Sequence, residues 1–193
     1  MTDMDAIEAI RSRRSVRDYQ DRPVERALIE ELIWDAAQAP PPAIRQVGRW
    51  AFVVVEGAAR LAELGERARA LARSALPPGP VPAWLDNPEF RVFWNAPALI
   101  LICARKDIVD AAWDCCRAGQ NLMLSAHARG LGSCWVGSPM AWLQSEQGAA
   151  AIGIPGGFEP VAPILVGYPT TKPPSREIKR PEIVWSSQPP ASV

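Results

Sequence analysis

This chain is poor in the residues that build metal and redox-thiol sites. It has one histidine, His127, and four cysteines (Cys103, Cys115, Cys116 and Cys134) with no Cys-x-x-Cys spacing. A zinc site needs clustered Cys and His ligands at short intervals, so no metal is expected. Neighbouring cysteines close only a strained disulfide, which leaves core thiols in a reducing, cytoplasmic setting as the economical reading. Neither charge predominates, because 21 basic residues balance 21 acidic ones. Nucleic-acid binders carry a basic excess, so nucleic acid is not an expected partner. Long apolar runs are missing too. Ala96–Ala104 is strand-sized against the roughly 20 residues of a membrane span. Met1–Ile10 holds three acids where a secretory signal has an apolar core, so no membrane partner is expected either.

What is present is globular. At 48% hydrophobic and 22% charged over 193 residues, the composition supports one domain with a good core, spanning 1–193. Apolar periodicity and breakers predict helices over 3–13, 25–38, 58–75, 108–129 and 141–151. Continuous apolar, β-rich runs predict strands over 50–55, 98–103, 133–137 and 161–168, the first of them buried. The five prolines and one glycine of 77–88 predict a loop excursion. The proline-rich stretch 169–193 predicts an extended tail. Helices and strands in this order point to an α+β fold. The 108–129 helix is apolar on most sides, which predicts that a second subunit covers part of it.

Near the N-terminus, Arg13-Arg14-Ser15-Val16-Arg17 places guanidinium forks and a hydroxyl just after a short amphipathic stretch. Arginine presents donors in a plane that matches phosphate oxygens in pairs, and serine adds a neutral donor. The same run also suits the solvated basic end of a helix.

Four segments in order decide between these readings. They are Arg13-Arg14-Ser15-Val16-Arg17-Asp18-Tyr19; Ala37–Gln46 with Trp50–Val55; Gly119–Leu122 with Gly130-Leu131-Gly132-Ser133-Cys134-Trp135-Val136-Gly137; and Pro160–Pro169. Together they resemble the FMN-dependent nitroreductase family. The resemblance implies a three-layer α/β/α sandwich with a mainly antiparallel central sheet, an intertwined homodimer, and FMN where the subunits meet. The tail 169–193 is then expected to wrap the partner subunit. The implied activity is ping-pong hydride transfer from NADH or NADPH through FMN to an electron-poor small molecule, such as a nitroaromatic, quinone or enone. The alternative is a flavin-binding protein without NAD(P)H turnover, a store or sensor.

Residue by residue, the resemblance assigns Arg13, Ser15 and Arg17 to the FMN phosphate, ribityl and pyrimidine edge, with Arg14 contributing between them. Ala43, Ile44 and Gln46 match the segment lining the flavin ring. Val136, Gly137 and Ser138 match the stretch whose backbone N–H groups face flavin N5. Arg176, Lys179 and Arg180 are candidates to return to the phosphate. No side chain is assigned as acid, base or nucleophile, because the cofactor carries the chemistry. Two departures stand out. Ile44 replaces the family's usual Asn and makes no hydrogen bond, and Pro139 removes a donor. Two extra residues also separate Gln46 from Trp50, so Arg45 or Arg49 is a candidate cation at the flavin. Trp84, Phe90, Phe93 and Trp94 either contact substrate or anchor the excursion, while Trp135, Trp142 and His127 read as packing residues.

Overall fold

The computed structural model describes residues 4–40, 48–77, 79–174 and 177–185. The assignments made to Ala43, Ile44, Arg45, Gln46 and Arg176 lie outside the described residues.

The chain opens with helix α1, Ala6–Ser12, whose N-cap Asp5 accepts from the Ile7 N–H at 3.1 Å. Helix α2, Arg26–Ala37, ends one residue before Gln38, just ahead of the proline run. Strand β1, Trp50–Glu56, leads to helix α3, Ala58–Ser74. The predicted loop excursion contains one helical turn, α4, Ala83–Asp86. Arg69 and Arg73 of α3 grip its end, both donating to the Leu85 carbonyl at 2.9–3.2 Å. Strand β2, Ala98–Arg105, precedes the long helix α5, Ala111–Ala128. Strand β3, Gly132–Trp135, follows directly. The helix predicted over 141–151 is broken into α6, Met140–Leu143, and α7, Glu146–Ile152. Ser145 is the reason: its hydroxyl caps α7 by accepting from the Gly148 N–H at 3.0 Å, which a helix interior does not allow. Strand β4, Phe158–Gly167, is the last regular element among the described residues.

The sheet is antiparallel throughout, in the order β1-β2-β4-β3. Side chains alternate across β2, and the alternation builds two cores. Ala98, Ile100 and Ile102 face α2 and α5, with Ile164 and Val166 of β4 beside them. Leu99, Leu101 and Cys103 face α3 and α6, with Leu165. This makes the three-layer sandwich. β1, expected to be buried, is a half-buried edge strand with Val54 exposed. Cys103 and Cys115 are core thiols, each pushed up to about 12 by burial, and Cys134 is buried as well. Cys116 departs from the expectation, because it lies on the exposed face of α5 near Trp113.

Candidate functional site

The site grows from the end of α1. Arg13 caps that helix in an extended conformation, and its N–H still reaches the Ala9 carbonyl at 3.0 Å. The chain then runs along the free edge of β3. Ser15 forms a parallel bridge with Ser133, and the Val16 N–H donates to the Ser133 carbonyl at 3.0 Å. This docking needs a glycine beneath it. A Cβ on Gly132 would lie 2.7 Å from Val16 Cβ. Val16 and Tyr19 are buried, and the Tyr19 hydroxyl donates to the Val16 carbonyl at 2.7 Å. Anchored there, Arg13, Arg14, Ser15 and Arg17 are left at or near the surface.

Two recesses flank these residues. One of about 490 Å³ is lined by Arg13, Arg14, Ser15 and Arg17, with Pro173, Pro174 and Ile178 from the tail. The other, of about 310 Å³, is lined by Ser12, Arg13, Arg14, His127, Ser133 and Lys172. Among the described residues, neither has a carboxylate in its lining. Arg13 Nη1, Arg14 Nε and Ser133 Oγ are buried with no hydrogen-bond partner among the described residues. Buried donors left unmade are costly, and an anion is the group that satisfies guanidinium and hydroxyl together. The donor set therefore fits a phosphate ester.

His127 is tied into this wall. The Ser12 hydroxyl donates to the Glu8 carbonyl at 2.7 Å, so in its 2.8 Å contact with His127 it accepts from Nε2–H. Burial pulls the His127 pKa down, and Arg13, Lys172 and Arg14 add to the effect. Cys134 lies beneath Ser15; burial raises its thiol, while Arg17, a Ser15 hydrogen bond and Arg13 pull the other way.

The structure brings some predicted residues together and separates others. Arg14 Nη1 donates to the carbonyls of Arg11 and Arg13 at 2.8 Å, so part of this side chain holds the turn. Val136 does not offer a free N–H, because that group donates to the Pro163 carbonyl at 3.0 Å. β3 has left the sheet by then, yet one last rung persists. The Gly137 and Ser138 N–H groups, both on exposed residues, have no such partner among the described residues. Arg49 is not a cation at a ligand. It is buried, and its Nε donates to Asp114 on α5, which Arg117 also meets. Lys179 and Arg180 are exposed and lie one and two residues beyond Ile178, on the tail segment that borders the larger recess. The start of the tail is pinned to its own chain, through the Tyr19–Pro169 bridge and the Gln20 N–H donating to Tyr168 at 2.8 Å. Beyond it, Ile178, Ile183, Val184 and Trp185 are all exposed.

Sequence reasoning missed Lys172, the Ser12–His127 link and the surroundings of Arg17. Phe93 is core and Phe90 and Trp94 are half-buried, while the Trp84 side chain is outside the described atoms. Trp142 is core, as expected. No group of His, Cys, Asp and Glu suited to a metal occurs among the described residues. No described helix is long and apolar enough to cross a membrane.

The α+β sandwich is the fold of a known flavoprotein class. Residues 10–168 match the Nitroreductase family, and the chain belongs to it. A protein of Methanothermobacter thermautotrophicus, provisionally named NADH dehydrogenase/NAD(P)H nitroreductase, is 31% identical over 93% of this chain and 85% of its own length. Among solved structures, a Desulfitobacterium hafniense nitroreductase with bound FMN superposes with a TM-score of 0.79 at 21% identity, covering 94% of this chain and 98% of its own. A Bacteroides fragilis nitroreductase with bound FMN gives 0.75 at 21% identity, covering 95% and 96%.

Proposed function

We propose that this protein is an FMN-dependent oxidoreductase, a dimer of identical subunits, that takes hydride from NADH or NADPH and reduces an electron-poor small molecule such as a nitroaromatic, quinone or enone. The observation that carries the reading is the recess whose described lining holds no carboxylate, with guanidinium and hydroxyl atoms buried in its walls that have no partner among the described residues. Family membership and the nicotinamide-linked name of the archaeal relative support the electron donor. The FMN held by two structural relatives supports the cofactor.

In this reading Arg13, Arg14 and Ser15 hold the phosphate end, and Arg180 closes over it from the tail. Arg17 faces the pyrimidine edge, where a fixed positive charge favours the reduced cofactor. Gly137 offers its N–H without a side chain in the way, and the adjacent Ser138 N–H is a second donor. When bound, FMN supplies the hydride acceptor and donor. The chain's own contribution is placement and charge, so no side chain needs to act as acid or base.

Dimerisation is supported by apolar surface that one chain leaves bare. Trp34, Val109 and Trp113 on or beside α2 and α5 are more than 60% exposed, and so are the apolar residues at 178–185. Large apolar side chains left exposed in this number are the kind of surface that protein contacts cover. The tail then crosses onto the second subunit.

The purified protein is expected to be yellow, to bleach anaerobically with NADH or NADPH, and to recover colour with a quinone. It should elute at twice the 21.0 kDa chain mass. Yellow protein that does not bleach would leave the flavin-store alternative standing. Colourless protein that takes up no FMN would refute both.

A further inference from the structure

Arg17 is the exposed member of the grip. Its guanidinium has no hydrogen-bond or ion-pair partner among the described residues, and the residue is exposed. A free arginine samples many rotamers, and holding it in one costs entropy when a ligand binds. An aromatic ring lies beside it. The guanidinium carbon lies 5.9 Å from the centroid of the Trp94 ring. Tryptophan gives the strongest cation–π face, and a flat guanidinium stacks on it where an ammonium does not.

Trp94 is held there under strain. Its φ of +53° is in the left-handed region, which bulky residues rarely occupy. Such strain persists where the surroundings over-determine it. Here they do. Phe93 before it and Ala96 after it are buried in the core against α3. The Asn95 side chain accepts from the Tyr19 N–H at 3.0 Å and donates to the Tyr19 carbonyl at 2.7 Å and to Asp18 at 3.0 Å. With both flanks fixed, the Trp94 backbone has to turn. Phe90 meets the indole edge-on, with centroids 5.9 Å apart and an interplanar angle of 71°. The same three bonds from Asn95 lock residues 18 and 19, so the backbones carrying Trp94 and Arg17 are clamped to each other.

Resting on the FMN reading above, we propose that Trp94 is a positioning residue of the flavin site. It holds the Arg17 guanidinium against its indole face, ready for the pyrimidine edge, and so sets both FMN affinity and the balance between oxidised and reduced cofactor. The half-buried ring is thereby neither a mere anchor for the 77–94 excursion nor a substrate wall.

The test is a double-mutant cycle on the full-length protein. FMN binding to apoprotein is titrated by flavin fluorescence for wild type, Trp94→Leu, Arg17→Ala and the double variant. Bound-flavin potentials are measured by dye equilibration. Trp94→Leu is expected to weaken FMN binding by about three- to tenfold, the range of a part-exposed cation–π contact. The potential should fall by about 30 mV for each tenfold by which the reduced form loses more than the oxidised form. Trp94→Phe, which keeps an aromatic face, should retain most of the affinity. In the Arg17→Ala background the Trp94 change should add little, because the partner is gone. An equal loss in both backgrounds, or Phe failing as badly as Leu, would overturn the proposal. Should Trp94→Leu not fold, Arg17→Lys replaces it: the charge stays, the stacking plane goes, and an unchanged affinity and potential would be the refuting result. Wild-type protein that takes up no FMN would sink the functional reading itself, whereas FMN binding that ignores Trp94 would sink only this step.

Discussion

Asp114 should be the most costly single carboxylate to remove from this protein. It is fully buried in the first turn of α5 and accepts from two arginines, Arg49 just before β1 and Arg117 one turn along its own helix. The two partners differ in exposure: the Arg49 side chain is 5% exposed and that of Arg117 is 45% exposed. Removing the acid strands a buried cation at Arg49, while Arg117 can turn to water. Stranding one member of a buried pair costs about 3–5 kcal/mol. Removing Arg49 instead leaves Asp114 still paired to Arg117, so Arg49→Met should cost less, about 1–3 kcal/mol, mainly the desolvation of one lost bond. Arg117→Ala falls in the range of exposed pairs, about 0–1 kcal/mol. Replacing both buried partners, with Arg49→Met and Asp114→Leu together, should recover most of the loss, because apolar groups of similar volume need no pairing. The assay is urea unfolding at one fixed protein concentration, since subunit association feeds into apparent stability. For a chain of this length Asp114→Ala should lower the melting temperature by about 10 °C, at about 2–4 °C per kcal/mol. An Arg49 variant as damaging as Asp114→Ala, or a double variant no better than Asp114→Ala alone, would refute the reasoning. A flavin potential that moved in Arg49→Met without loss of stability would return Arg49 to the ligand and contradict the pairing.

Gly132→Ala places a methyl 2.7–2.8 Å from three carbons of Val16. Val16 is β-branched and buried, so it cannot swing aside, and the strand carrying Ser15 and Arg17 has to lift; a loss of about 1–3 kcal/mol by urea unfolding should accompany weaker FMN uptake. His127 carries a pH dependence of the smaller recess. Its folded pKa lies below the ordinary 6.5 through burial and the charges of Arg13, Lys172 and Arg14. The unfolded chain therefore binds the proton first: the His127 contribution is intact above pH 6.5 and is lost as pH falls through the folded pKa. In unfolding titrations His127→Gln should flatten the acid-side slope below pH 6.5, and an unchanged slope would contradict the assignment.

Reach along the chain separates what the sequence disclosed from what it did not. Alternating and continuous apolar patterns are local, and they located all four strands and the long helices to within a few residues. Where a local rule competed with another local rule the outcome was harder to read. Ser145 could sit inside a helix or start one, and capping split the element in two. The apolar run of β1 reads like a central strand, yet its place at the edge depends on which strands pair, a decision made between segments some 50 residues apart. The site shows the same division. Arg13, Ser15 and Arg17 lie within five residues, yet alone they suit a solvated helix end as well as an anion grip, and it is the resemblance carried by three further segments that favours the grip. The supports of that grip come from far away: Ser133 bridges to Ser15, Asn95 reaches back to Tyr19, His127 meets Ser12, and Trp94 faces Arg17. Arg49 makes the point most sharply. As one of two arginines beside a ligand-lining segment it reads as a candidate cation for the flavin, and only the folded proximity of Asp114, 65 residues on, turns it into scaffold. A charge's role is set by what the fold places opposite it. An arginine whose partner is a buried carboxylate is spent on structure, whereas Arg17, beside an aromatic face and with no hydrogen-bond partner among the described residues, is the charge that the proposed function assigns to a ligand.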